Sequence, residues 1–373
     1  MARFGKLQLN MNRWLLSLLA ALAWTHCHAI EGRSIAGAGS SAAAPIYRSW
    51  ASEYAKESGV VLTYEAIGSS AGLKKIRASE TGFGASDVAP SAAELMRDGL
   101  VLFPIAITGI SPVIHLPKIG DTPLRLSGDA LARIFLGEIK RWNDPEIMRL
   151  NPGVTLPGLQ IKRVVRSDGS GTTYNFADYL SKVNPVWKQK YGVNTHFSWP
   201  ADCIAVKGSD GVVKAVQDTV GAIGYVDFGY VQDNKLQAVQ MKNSEGHFVA
   251  PSTAAFKAAL NSSDWVRNGE FTTTLTDKTG ANAWPITMGT FALVPRVASQ
   301  PEKTQAALQF FIWALMNGDA LVQKSNFVRL PDRVQALAFR AMMSVRDKAG
   351  RALPLSLMRG AADARQTGNA VRN

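Results

Sequence analysis

The sequence predicts an α/β fold with mixed or mostly parallel sheets, and three observations predict it. Short apolar strand patterns alternate with helical ones from about residue 33 onward. Gly- and Ser-rich turns join strands to the helices that follow them. The apolar stretch 101–116 is long enough to carry the chain from one domain into a second. A length of 373 residues leaves room for two domains. A composition of 46% hydrophobic and 19% charged residues suits a soluble chain with a sizeable core.

Taken in order, the first segment is different in kind. Arg3, Lys6 and Arg13 precede an apolar run from Trp14 to Trp24. That run falls short of the roughly 20 apolar residues needed to span a bilayer. It ends near Cys27-His28-Ala29, so residues 1–29 read as a cleavable secretory signal peptide, with Met11 as an alternative start. A lipid anchor at Cys27 is disfavoured, because Trp24-Thr25-His26 is too bulky a lead-in. Cleavage removes Cys27, leaves Cys203 alone and excludes an intrachain disulfide. It also removes three basic residues, so a formal charge of +12 becomes 12 − 3 = +9. Such a field attracts nucleic acid, acidic lipid or an anionic solute. Export disfavours nucleic acid.

The mature chain opens with a strand, Arg33 to Gly39, that breaks into a Gly-rich turn. Pro45 starts a helix over about 45–58, with Ile46, Trp50 and Tyr54 as its buried stripe and Gly59 beyond its end. Val60–Tyr64 is a strand, residues 70–79 a helix, and Phe83–Asp87 a brief buried strand ending in a carboxylate. Residues 101–116 read as paired strands, and 127–151 as helical pieces. Val164–Arg166 is a strand, followed by a helix with Phe176, Tyr179, Leu180 and Val183 on its inner face. Val220–Val226 is a further strand, and Leu308, Phe311, Ile312 and Leu315 form a helical stripe stopped by Asn317-Gly318. No internal repeat is visible. The stretch after Leu355 lacks an apolar pattern, so 356–373 is expected to be a disordered basic tail.

Four segments place small or hydroxylated residues where a strand gives way to a helix: Gly39-Ser40-Ser41, Gly68-Ser69-Ser70, Ser86-Asp87 and Arg166 through Thr172. Helix N-termini offer unpaired N–H groups and a partial positive charge. Glycines let the backbone approach closely, hydroxyls add donors, and Arg166 adds a bidentate fork. Together they suit a tetrahedral oxyanion. Each Gly-Ser turn taken alone is usually only a helix cap. Asp87 is the informative oddity, since a carboxylate repels an anion unless the ligand carries a proton. Phosphate near neutral pH has that proton and sulfate does not, and such a mismatch can discriminate by roughly 10⁴-fold or more. The bland alternative for Asp87 is a cap or a surface acid.

Other matches are weaker. Gly68-Ser69-Ser70-Ala71-Gly72 fits a nucleophile elbow, but His115, His196 and His247 lie in no triad context. Gly37-Ala38-Gly39-Ser40-Ser41-Ala42 fits a dinucleotide fingerprint, yet Glu65 comes late for its acid. Three scattered histidines and one cysteine offer no metal cluster, and no cofactor is expected.

The stretches GAGSSAAAPIY, IGSSAGLKKI, FGASD, VVRSDGSGTTYNF, VGAIGYV and WPIT are spread, in this order, from Gly37 to Thr287. Here the chain closely resembles the periplasmic phosphate-binding proteins of high-affinity ABC phosphate transporters, a type II periplasmic solute-binding family. The resemblance implies a two-domain Venus flytrap fold, with a mixed sheet in each domain and a two-segment hinge. It implies a first domain of 32–107 plus 285–355 and a second of 108–284. It implies phosphate contacts from Ser41, the backbone of Ala42, Ser69, Asp87, Arg166, Ser170, Gly171 and Thr172, with Asp168 supporting Arg166. Where the family often has Thr-Phe-Pro, this chain has Ser41-Ala42-Ala43, and loss of the ring would leave the cleft wetter. The implied partners are inorganic phosphate, arsenate of the same shape, and a membrane-embedded ABC phosphate permease. The implied state is a periplasmic monomer without catalytic activity. The alternatives are a phosphate-ester or acyl hydrolase using Ser70 or Ser170, and a binding fold repurposed for adhesion or signalling.

Overall fold

The computed structural model describes residues 34–117, 119 and 123–355. The expected signal peptide, 1–29, and the expected tail, 356–373, lie outside the described residues. None of the described helices is long and apolar enough to cross a membrane.

In chain order, β1 (Ser34–Gly39), β2 (Val61–Glu65) and β3 (Phe83–Ser86) lead into the long β4 (Leu100–Ile114). Then come β5 (Arg125–Leu126), β6 (Lys162–Arg166), β7 (Ile204–Val206) and β8 (Ala222–Asp227). They are followed by β9 (Gln237–Ala238), β10 (Gln240–Lys242) and β11 (Phe248–Val249). β12 (Thr287–Pro295) returns through the middle, and β13 (Val297–Ala298) pairs with β14 (Arg346–Asp347).

The main sheet runs β2-β1-β3-β12-β4-β8-β6-β7, with β9 also on β4, while β11-β10-β5 forms a small sheet apart. β2, β1 and β3 are mutually parallel, and so are β8, β6 and β7. Between the two triplets lie antiparallel β12 and β4. A mixed sheet in each half therefore meets its counterpart through one shared strand.

That strand corrects one sequence expectation. Residues 101–116 were expected to pair with each other; instead β4 is one strand of 15 residues, all buried. Leu100–Gly109 pairs with β12, and Ile110–Ile114 with β8. Its Pro104 imitates a turn, but it sits beside a bulge where the register steps from Ala106 to Pro104. A bulge tolerates a residue without an N–H.

The helix Ala44–Ser58 has Pro45 in its first turn, buries Ile46, Trp50 and Tyr54, and closes at a left-handed Gly59, φ 71°. The helix Pro301–Asn317 buries Leu308, Phe311, Ile312 and Leu315. Rings from both helices meet those of the sheet. Tyr47 lies 5.3 Å from Phe83, and Phe311 lies 4.9 Å from Phe83 and 5.1 Å from Phe103. In the other half, the helix Gly171–Val183 buries Phe176, Tyr179 and Leu180, while Val183 is half-buried. Phe176 stacks on Tyr225 at 4.2 Å. Each fully buried large side chain contributes about 1.5–3 kcal/mol, so each triplet has its own aromatic anchor.

Candidate functional site

The carboxyl ends of the two parallel triplets face one another, which is where ligands sit in α/β sheets. β1 ends at Gly39 and hands over to Ser40 and Ser41; β3 ends at Ser86 and hands over to Asp87. From the other half, β6 ends at Arg166, and Ser170 caps the helix beginning at Gly171. Hydrogen bonds cross between the halves. Ser70 N–H donates to the Gly169 carbonyl (3.0 Å), Asn175 Nδ2 to the Asp87 carbonyl (2.8 Å), and Tyr230 Oη to the Ser41 carbonyl (2.9 Å).

Most of the residues singled out in the sequence come together here. Ser41, Ala42, Ser69, Asp87, Arg166, Ser170, Gly171 and Thr172 are all buried, and Asp168 is partly so. Asp87 N–H donates to Ser69 Oγ at 3.2 Å. Gly171 lies so close that an added Cβ would stand 2.5 Å from Ser69 Oγ and 2.7 Å from the Asp87 Cβ. Arg166 Nε donates to Asp168 Oδ1 at 2.6 Å, and Nη2 to Oδ2 at 2.5 Å. The fork is held edge-on, and Asp168 also accepts from Gly208 N–H at 3.1 Å. Ala42, buried in the Ser41 turn, offers only its backbone.

Two readings are amended. Ser86-Asp87 does not open a helix: the next one, Ala92–Arg97, is capped by Ser91 four residues beyond Asp87. Asp87 is therefore neither a cap nor a surface acid, being only 3% exposed. Ser70 points outward, toward an open cleft also lined by Leu73, Tyr174 and Thr272. Its hydroxyl donates to Thr195 Oγ1 at 3.1 Å, and a threonine is no general base. Ser170 Oγ accepts from Thr173 N–H at 3.1 Å, so it is a cap whose own proton remains available. Among the described residues, no cluster of His, Cys, Asp or Glu is arranged to hold a metal ion.

Sequence reasoning missed several members. Ser209 is buried at the start of the helix Gly208–Asp218; its N–H donates to Ser41 Oγ (3.1 Å), and its hydroxyl pairs with the same oxygen (2.9 Å). Val206-Lys207-Gly208-Ser209 repeats the strand-to-Gly-Ser-to-helix signal found elsewhere, so it was legible. Tyr225 and Trp199 were not: Tyr225 Oη pairs with Thr173 Oγ1 (2.8 Å), and Trp199 Nε1 donates to the Arg166 carbonyl (2.9 Å). Ser40 was passed over beside Ser41, yet its Oγ donates to Asp87 Oδ2 at 2.6 Å.

The electrostatics are uneven. Burial raises the Asp87 carboxyl to about 6, against the pull of Ser40, Thr290, Arg166 and Ser69. Burial also works upward on Asp168, but the Arg166 hydrogen bond and charge hold its carboxyl below the usual range. Asp168 is thus the committed partner of the guanidinium. Asp87 keeps one oxygen, Oδ1, buried and without a hydrogen-bond partner among the described residues. Such an oxygen costs about 1–3 kcal/mol unless something fills it.

Comparison with known proteins shows the family. The model of the PBP superfamily domain matches residues 28–315. The phosphate-binding protein PstS of Xylella fastidiosa (strain Temecula1) is 42% identical over 297 residues, 80% of this chain and 81% of that one. PstS of Pasteurella multocida is 41% identical over 317 residues, 85% of this chain and 92% of that one. Among solved structures, a high affinity periplasmic phosphate-binding protein bound with phosphate (PfluDING) superposes with a TM-score of 0.66 at 21% identity, covering 87% of this chain and 96% of that one. The phosphate-binding protein of Stenotrophomonas maltophilia gives 0.59 at 18% identity, covering 82% and 93%. Identity above 40% across four-fifths of the chain, on a shared two-domain α/β fold, places this protein in the PstS family of phosphate-binding proteins.

Proposed function

We propose that this chain captures inorganic phosphate outside the cytoplasm and delivers it to a membrane-embedded ABC phosphate permease. The observation that carries the reading is Asp87 Oδ1, a buried acceptor without a hydrogen-bond partner among the described residues, set among groups that mostly donate. A ligand that fits must be an oxyanion able to accept many hydrogen bonds and give one. HPO4 and H2PO4 do both; sulfate only accepts.

Ser41, Ser69, Ser170 and Thr172 hydroxyls, the N–H groups of Ala42 and Gly171, and the guanidinium of Arg166 act as donors, and Asp168 orients Arg166. The starts of the helices Ser69–Arg77 and Gly171–Val183 add partial positive charge. No bond is made or broken. Two domains, 32–107 with 285–355 and 108–284, close on the ligand, and exclusion of water strengthens each hydrogen bond. Arsenate, with the same shape and protonation, fits equally. Export by the segment 1–29 delivers a periplasmic monomer. The relatives' shared name, phosphate-binding protein, supports the reading.

The test is calorimetric titration of the mature chain, stripped of bound anion by unfolding and refolding, with phosphate and then sulfate. The expected outcome is one-to-one phosphate binding and no sulfate heat. A folded chain that gives no heat with phosphate overturns the proposal.

A further inference from the structure

Behind Asp87 stands a residue that the phosphate reading does not use. Ser40 is 1% exposed; its Oγ donates to Asp87 Oδ2 at 2.6 Å and accepts from Ala43 N–H at 3.3 Å. Its backbone is held from both sides. The N–H donates to the Ala85 carbonyl at 3.0 Å, and the carbonyl accepts from Tyr64 Oη at 2.7 Å. β1 and β3 pair in parallel up to Gly39 and Ala85, one and two residues before Ser40 and Asp87. The sheet itself therefore sets the distance between hydroxyl and carboxylate.

The two oxygens of Asp87 consequently differ. Oδ2 is satisfied by Ser40, and Oδ1 is buried with no partner among the described residues. Resting on the phosphate reading above, we propose that Ser40 is a positioning residue for ligand selectivity: by tying down Oδ2, it fixes Oδ1 as the acceptor that requires a proton on the bound oxyanion.

The physics has two parts. A carboxylate tethered through one oxygen cannot swing its other oxygen away from the ligand. A hydrogen bond donated to the charged form also favours that form. Without it, Asp87 protonates at higher pH and turns from acceptor into donor. A fully deprotonated anion then finds a donor where it had met a lone pair, and the site loses its grounds for refusing sulfate. Burial pushes the proton affinity of Asp87 up, while the hydroxyls of Thr290 on β12 and Ser69 and the guanidinium of Arg166 on β6 draw it down together with Ser40. Asp227 at the end of β8, Tyr47 and Tyr64 also feel its charge. All of these groups remain in a Ser40 variant, so any change reports Ser40.

The experiment compares the full mature chain with Ser40→Ala, Ser40→Thr and Asp87→Asn. Each is titrated with phosphate and with sulfate between pH 5 and pH 8, and the Asp87 carboxyl of the ligand-free protein is followed by ¹³C NMR. Ser40→Ala is expected to raise the carboxyl midpoint by about one pH unit. Its phosphate-over-sulfate ratio should fall by about tenfold near pH 6 and much less at pH 8. Ser40→Thr, which keeps the hydroxyl, should restore both readouts. A merely structural role, through the lost bond to Ala43, would weaken both anions alike at every pH and leave the carboxyl midpoint in place; that result overturns the inference. So does a Ser40→Ala ratio equal to wild type at every pH while Asp87→Asn relaxes it, and then the phosphate reading stands. A wild-type chain that binds no phosphate sinks both.

Discussion

At the scale of single residues, the site is a set of donors organised around one acceptor, and Asp87 decides what the donors are for. Replacing Asp87 with Asn keeps the shape and removes the charge. An amide oriented to donate offers a fully deprotonated oxyanion a hydrogen bond instead of a lone pair. Phosphate-over-sulfate preference should then fall by at least about tenfold, read from the two dissociation constants. An unchanged ratio would mean selectivity lies elsewhere. Asp87 and Arg166 were legible in the sequence because charged residues stand out among Gly and Ser at strand ends. Ser40 was not, since a serine beside a turn is nearly always a cap, and only distances separate one role from the other; Ser209 carried the same strand-to-Gly-Ser-to-helix signal as the other turns. Tyr225, which is buried, and Trp199, which is half-buried, carried no signal of the site; their polar tips reach Thr173 and Arg166 through folding alone.

At the scale of elements, the position of Ser69 depends on how closely its helix lies on β1. Gly72 sits where the helix Ser69–Arg77 crosses that strand, and a Cβ there would stand 2.3 Å from Gly39 Cα and 2.5 Å from the Ala38 carbonyl. Those neighbours are backbone and cannot step aside as a side chain tip would. Gly to Ala inside a helix ordinarily stabilises by up to about 1 kcal/mol. Here the overlap should outweigh that gain, and Gly72→Ala should lose about 1–3 kcal/mol in denaturant unfolding. The helix must also lift from the strand, carrying Ser69 from Asp87 and Gly171, so phosphate affinity should drop with stability. A variant as stable and as tight as wild type would show that the helix has slack. The helices Ala44–Ser58, Gly171–Val183 and Pro301–Asn317 could be read from their stripes, as Ile46, Trp50 and Tyr54 illustrate. β4 could not, because an unbroken apolar run says that residues are buried and not which strands flank them.

At the scale of the whole molecule, the two halves are joined through β4 and closed by hydrogen bonds across the cleft, and Asp227 stands where both features meet. It ends β8, accepts from Thr108 Oγ1 on β4 at 2.5 Å and from Gly229 N–H at 2.9 Å, and starts the short helix whose Tyr230 reaches Ser41. Burial raises its carboxyl from 3.8 to about 7, against the pull of Thr108 and Gly229 and with a further push from Asp87. Below about pH 4 the group is protonated in both folded and unfolded chains and contributes no slope. Between about 4 and 7 the unfolded chain has released that proton while the folded one keeps it, so this group lowers stability as pH rises. Above about 7 both forms are ionised and the penalty stays constant. Asp227→Asn carries no such proton and retains an acceptor for Thr108. Its stability relative to wild type should therefore climb between pH 4 and pH 7, by at most about 1.4 kcal/mol per pH unit, and level off beyond. Ligand-free unfolding curves across that range would measure it. A constant difference would mean that Asp227 is ionised in the fold throughout, with Thr108 and the backbone of Gly229 outweighing the cost of burial.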